Sequence, residues 1–217
     1  MDIQQNEKGK DYSRLMSRRI RRIMLVCNSY DSYTLEEDGR LEVQITQEYS
    51  ELNLSNPPSI TRVESTIEAL ELIGAGEKFD LVITMYNVGQ MDVYTFSHRM
   101  KQLCPTTPVV LLTNFSKEIY HQIEKADTSS LDYMFCWNNS TDLIIAIIKL
   151  TEDSMNADHD ILEFGVQTIL LVEDSVRYYS TYLPAIYKLV LQQNGASSRD
   201  ALNEQQIKAN FESQSTV

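Results

Sequence analysis

Two adjacent carboxylates, Glu173 and Asp174, follow the apolar run Ile169, Leu170, Leu171, Val172. Two hard oxygen donors at a strand end are the start of a Mg²⁺ site, and without further oxygen ligands they hold the ion weakly. An acidic turn with no ligand is the plain reading of the pair. Cys27 and Cys136 each close an apolar run, and two thiols brought together would sense oxidants or take a soft metal. Asp31, Asp80 and Asp92 are candidate phosphoryl acceptors near strand ends. Met85 ends the run Leu81, Val82, Ile83, Thr84, and a thioether serves neither as a carboxylate nucleophile nor as a hard-oxygen Mg²⁺ ligand. No Gly-rich phosphate loop accompanies these residues.

The elements that must position them are legible as short apolar runs and amphipathic stretches. Strands are expected at Ile23 to Cys27, Ile60 to Val63, Phe79 to Thr84, Val109 to Leu112 and Tyr133 to Cys136. Continuous apolar runs of this length suit parallel strands buried on both faces. Helices are expected from about Tyr33 to Leu52, from a Ser65/Glu68 capping box to Gly74, and from Val93 to Leu103. A short helix over 116–126 and an apolar one from Leu143 to Leu150 follow. Strands alternating with helices imply an α/β fold, a doubly wound five-stranded parallel sheet covered on both faces.

Residues 1–19 lack apolar periodicity and read as a flexible arm, residues 20–150 as the domain, and the acidic stretch 151–166 as a linker or a solvated helix extension. Residues 167–217 then supply a strand at 168–172 and a Tyr-rich helix from about Tyr178 to Gln192, with Pro184 kinking it or displacing its start. Ile23 to Ser29 aligned on Ile169 to Ser175 forms an internal repeat, read as the start of a second domain of the same kind.

The net charge of −12 over 217 residues lacks the basic field a nucleic-acid partner requires. No apolar stretch reaches the roughly 20 residues of a membrane span, and no signal-peptide core is present. The basic cluster Arg18, Arg19, Arg21, Arg22 reads as a solvated lead-in to the first strand. Cysteines at 27, 104 and 136 form neither a CxxC pair nor an even framework, so reduced thiols in a cytoplasm are expected.

Asp80 to Thr84 with Gly89, Met91 and Asp92 downstream, Thr107 to Thr113, and Asp132 to Met134 occur in an order and spacing that resembles a response-regulator receiver domain. The resemblance implies a flavodoxin-like fold with strand order 2-1-3-4-5 and a crevice at the carboxyl ends of the strands. A receiver places an acidic pair after its first strand, the phosphoacceptor aspartate after its third, a hydroxyl after its fourth and a lysine after its fifth. Carried onto this chain, those positions are Cys27 and Asn28, Met85, Thr113 and Cys136. Only the hydroxyl survives, which implies a degenerate pseudo-receiver unable to transfer phosphate. In that strand order the strands bearing Cys27 and Cys136 are not neighbours, so a disulfide between them is excluded geometrically. The Tyr-rich helices after the repeated strands are loosely similar to the receiver-like N-terminal region of bacterial phosphoenolpyruvate synthase or pyruvate phosphate dikinase-like proteins.

These readings converge on a non-catalytic signalling module that binds a protein or another domain of a longer polypeptide. An active receiver with a displaced acceptor, or a regulatory fragment of a dikinase-like enzyme, are the alternatives. Ile144, Ile145 and Ile148 are expected to turn partly outward from an all-apolar helix, to be covered either by the 169–192 segment or by another chain. With Tyr179, Tyr182, Leu183 and Ile186 they form the expected partner surface, and an unpaired strand at 168–172 points to a homodimer built with residues 143–191.

Overall fold

The computed structural model describes residues 14–29, 41–89, 91–114, 117–123, 125–138 and 140–193. Five strands, β1 (Arg22–Val26), β2 (Ser59–Val63), β3 (Leu81–Met85), β4 (Val109–Thr113) and β5 (Tyr133–Cys136), form one parallel sheet in the order β2-β1-β3-β4-β5. Every residue of β3 and β4 is buried, and β1 exposes only Arg22. Their unbroken apolar runs fit strands with helices on both faces. β2 lies at an edge and carries Thr61 and Arg62 in exposed or half-buried positions.

The helices are α1 (Leu41–Glu51), α2 (Thr66–Gly74), α3 (Val93–Leu103), α4 (Lys117–Ile123), α5 (Thr141–Phe164) and α6 over residues 176–193. α1 packs on α5 and α2 on α3, the pairing that right-handed crossovers produce in this strand order. Ser65 caps α2 by accepting the Glu68 N–H at 3.2 Å, while the Glu68 carboxylate accepts from Glu64 at 2.8 Å. The capping box is therefore displaced by one residue in its second half. At the other end Gly76 sits at φ 93°, and the Gly76 and Glu77 N–H groups return to Ile73 and Leu72. That left-handed termination is why glycine occupies the position. The part of the expected first helix before residue 41, with Asp31, lies outside the described residues.

Several expectations are corrected. Residues 151–164 are not a linker but continue α5, which ends where Gly165 turns left-handed at φ 68°. Thr151, Glu152, Asn156 and Asp160 are buried in it. The last three meet the backbone of residues 16–20, so the last residues of the expected free arm are tied down. Residues 168–172 form no strand, because a strand exists only in a ladder and none among the described residues pairs with them. α6 begins at residue 176 and runs through Pro184, whose missing N–H leaves the ladder one bond short without ending it.

Ile144, Ile145 and Ile148, expected to face outward, are buried within the chain itself. The sheet and α1 cover α5 from one side and α6 closes another, through Tyr187 Oη to Asp153 at 2.6 Å and Lys188 Nζ to Asp142 at 3.3 Å. A helix without a polar face needs such cover on several sides. No helix among the described residues is long and apolar enough to cross a membrane.

Candidate functional site

The carboxyl ends of the strands bring the mapped positions to one end of the sheet. Met85 is in register with Leu112, and Thr113 with Cys136, while Cys27 follows directly on Val26, the partner of Thr84. The result is a packed plug. Met85 is 3% exposed, and Cys27, Thr113, Cys136 and Trp137 are all buried around this sheet end. Burying a side chain of that size contributes about 1.5–3 kcal/mol, so the plug is a stabilising part of the core.

Polar groups at this end bind the protein's own backbone. Asn28 Nδ2 donates to the Asn87 carbonyl at 2.7 Å, which joins the loop after β1 to the loop after β3. Thr113 Oγ1 donates to the Asn114 carbonyl at 3.2 Å. The Cys136 N–H donates to Ser180 Oγ of α6 at 2.8 Å, and Ser180 passes its own proton to the Val176 carbonyl. Burial pushes the Cys136 thiol up against the opposing pull of the Arg177 guanidinium, which disfavours the reactive thiolate. Cys27 and Cys136 stand on strands separated by two others, roughly 14 Å at the usual strand spacing. The two-thiol site is not assembled.

The candidate acceptor aspartates are engaged elsewhere. Asp80 lies at the amino end of β3, the end away from the crevice, where its Oδ2 accepts the N–H groups of Arg21 and Arg22 at 2.9 Å each. Asp92 is the N-cap of α3. It accepts from the Thr95 hydroxyl and from the Thr95 and Tyr94 N–H groups, and these bonds hold its carboxyl below the usual range. Beside it a concavity of ≈ 350 Å³ is lined by Tyr86, Asn87, Val88, Gly89, Met91 and the start of α3. Gly89 sits there at φ 111°, with a Cβ site 3.6 Å from Ser65 Cβ. Tyr94 is pushed up to about 12 by burial and by Tyr86.

Glu173 and Asp174 do not extend into a ligand set. Glu173 Oε1 accepts the Ser175 N–H at 3.0 Å, and among the described residues no three His, Cys, Asp or Glu side chains gather. Of the expected partner residues on α6, Leu183 is buried in the core, Ile186 is half-buried, and Tyr179 stacks on Phe135 with centroids 5.6 Å apart. Only Tyr182 of that set is exposed.

Sequence reasoning missed one constellation, the stripe Glu152, Asn156, Asp160 on α5. Its residues recur every fourth position, the helix repeat that aligns side chains on one face. They receive Ile20 N–H at 2.9 Å, Arg18 N–H at 2.9 Å and Met16 N–H at 3.0 Å. Glu152 also binds Lys149 Nζ at 2.8 Å and Arg19 at 3.4 Å.

No protein-family model matches the chain, and no curated protein matches it in sequence. Solved structures do. A streptococcal redox sensor of a family evolved from two-component response regulators aligns with a TM-score of 0.50 at 14% identity, over 72% of this chain and 59% of that one. The response regulator TrrA of Thermotoga maritima aligns at 0.45 and 17% over 61% and 99%. The receiver domain of an HD-domain-containing protein of Pseudomonas fluorescens aligns at 0.43 and 21% over 66% and 94%. Many of the structures similar to it are response-regulator receivers, and an adenylate cyclase from Rhodopirellula baltica is also among them. With its sheet order 2-1-3-4-5, the order of flavodoxin-like sheets, the chain has a flavodoxin-like fold, the one the streptococcal structure also supports.

Proposed function

We propose that the chain is a non-catalytic cytoplasmic signalling module, a receiver-like domain that has exchanged phosphoryl chemistry for binding a protein partner. The observation that carries the reading is the side chain at the end of β3. Met85 is buried there among apolar neighbours, in the place where the resemblance puts a phosphoacceptor. Phosphoryl transfer depends on hard oxygen ligands for Mg²⁺ and on cationic stabilisation of the equatorial oxygens. Cys27, Met85 and Cys136 provide neither, and Asn28, whose Nδ2 donates to Asn87, offers at most one neutral oxygen. The engagement of Asp80 and Asp92 in backbone capping further supports the reading over a displaced acceptor.

Incubation with Mg²⁺ and a small acyl phosphate, followed by intact-mass measurement, tests it. The expected result is an unmodified chain. A stoichiometric acid-labile phosphate adduct overturns the proposal.

A further inference from the structure

Helix α6 carries two apolar stripes, and among the described residues only one packs against the domain. Tyr179, Leu183 and Tyr187 turn toward the domain, with Ser180 capping Cys136 between them. The second stripe is Tyr178, Tyr182, Ala185 and Leu189, all four exposed, the three large side chains by 55%, 47% and 57%. Steps of four, three and four residues keep a seam on one side of a helix and are the spacing of helix-to-helix packing. The Tyr178 and Tyr182 rings already stack, with centroids 6.0 Å apart and planes 10° from parallel. A helix covered on one face ordinarily turns polar residues outward at such positions.

We propose that this outer stripe is the seam of a homodimer in which α6 of one copy packs antiparallel on α6 of another. Its 4-3-4 spacing reads the same from either end, so it is self-complementary about a two-fold axis, as an isologous interface requires. Such an axis sets Tyr182 against the partner's Ala185 and Tyr178 against the partner's Leu189, large on small at the centre. Parallel pairing would oppose tyrosine to tyrosine and leave a void at alanine.

Charge agrees with a second copy as the occupant. The chain carries −12, yet residues 176–193 contain no acidic side chain, so two copies approach along a face free of that repulsion. Area agrees as well. Ile169, Leu170 and Val172, 71–87% exposed, precede α6 in the chain, beyond Glu173 and Asp174, and add to the exposed apolar surface at its amino end. At roughly 100 Å² apiece the six large side chains offer about 600 Å² of apolar surface. A standard interface buries about 800 Å² per partner, somewhat over half of it apolar.

The inference rests on the reading of the chain as an interaction module, and the two fail separately: a monomer that takes no phosphate removes the dimer and leaves the module. The test is sedimentation equilibrium of the full chain from about 1 to 100 μM, a range that spans ordinary self-association. The wild type should sediment as a dimer, and Ala185→Arg, exposed and leaving the circular dichroism unchanged, as a monomer. A wild-type monomer throughout, or a dimer that survives Ala185→Arg, overturns the proposal. Orientation is read in a Cys104→Ser background with a short thiol crosslinker. Mixed Tyr178→Cys and Leu189→Cys proteins should crosslink to each other and neither to itself; crosslinking of Tyr178→Cys to itself overturns the antiparallel seam.

Discussion

Asn156 and Arg18 exchange two hydrogen bonds: the Arg18 N–H donates to Asn156 Oδ1 at 2.9 Å, and Asn156 Nδ2 donates to the Arg18 carbonyl at 2.8 Å. This is the recognition one strand gives another, performed by a side chain on a helix. Glu152 and Asp160 bind the alternate N–H groups on either side, so α5 holds residues 16–20 as a strap running antiparallel to its axis, with Met16 turned left-handed (φ 52°) at its start. The match is geometric. Two residues of extended chain advance about 6.6 Å and four residues of helix about 6 Å.

Asn156→Ala should therefore release the strap at its centre. Two hydrogen bonds at about 1 kcal/mol each, with the Arg18 groups returned to water, predict a loss of roughly 2 kcal/mol. Urea unfolding gives the magnitude. Limited proteolysis gives the location, since new cleavage should appear near residues 14–20 before the domain is cut. Asn156→Asp should not rescue, because a carboxylate cannot donate to the Arg18 carbonyl.

Why the strap was not legible in sequence is physical. Glu152, Asn156 and Asp160 have the composition of a solvated stretch, and only the backbone they meet, about 140 residues earlier, makes them interior. Strands β1, β3 and β4 were legible because burial on both faces writes itself into every residue. Residues 168–172 have the same apolar, β-prone character and yet no ladder, because pairing belongs to a partner strand and not to propensity. The loss of phosphoryl chemistry at Met85, Cys27 and Cys136 could be read because strand ends locate the crevice. The closure of that end by Ser180 could not, since the hydroxyl arrives from a helix 44 residues on.

Acid should act on α5 in two opposed steps. Burial holds the Asp153 carboxyl above its ordinary value of 3.8, despite the Tyr187 hydroxyl bonded to it. Its contribution to stability is present below that value and is lost as pH rises through the raised one, so mild acidification should strengthen the fold. Asp160 is held below 3.8, first by His159 and then, against burial, by the Met16 N–H. Its contribution is present above 3.8 and is lost as pH falls through the lowered value. Urea midpoints measured from about pH 7 downward should rise and then fall. Asp153→Asn should flatten the rise alone; an unchanged profile in that variant contradicts the assignment.

Ser180→Ala should separate α6 from β5 more than its size suggests. The variant leaves the buried Cys136 N–H without its acceptor, an unsatisfied donor worth about 1–3 kcal/mol. Thr181→Ala, which removes an exposed hydroxyl bonded only to the Arg177 carbonyl, should stay within about 0.5 kcal/mol of wild type. Hydrogen exchange at the Cys136 amide distinguishes the two. It should quicken in the first variant and not in the second.

Met85→Asp replaces a core thioether by the carboxylate a phosphoacceptor needs, and it should still yield no phosphoprotein. The new charge would be buried at the end of β3, next to the strand that runs into Cys27, and an uncompensated buried charge costs roughly 3–5 kcal/mol. The fold should weaken by about that amount or protonate the carboxyl instead, whereas Met85→Leu, which keeps volume and polarity, should cost less than about 1.5 kcal/mol. Urea unfolding reads the first difference and intact mass after Mg²⁺ and acyl phosphate the second. Rapid phosphorylation of Met85→Asp would mean that one oxygen from Asn28 and the Thr113 hydroxyl suffice to hold the metal and the phosphoryl group. Because Thr113 already gives its proton to Asn114, that bond would first have to break before the hydroxyl could serve a phosphoryl oxygen.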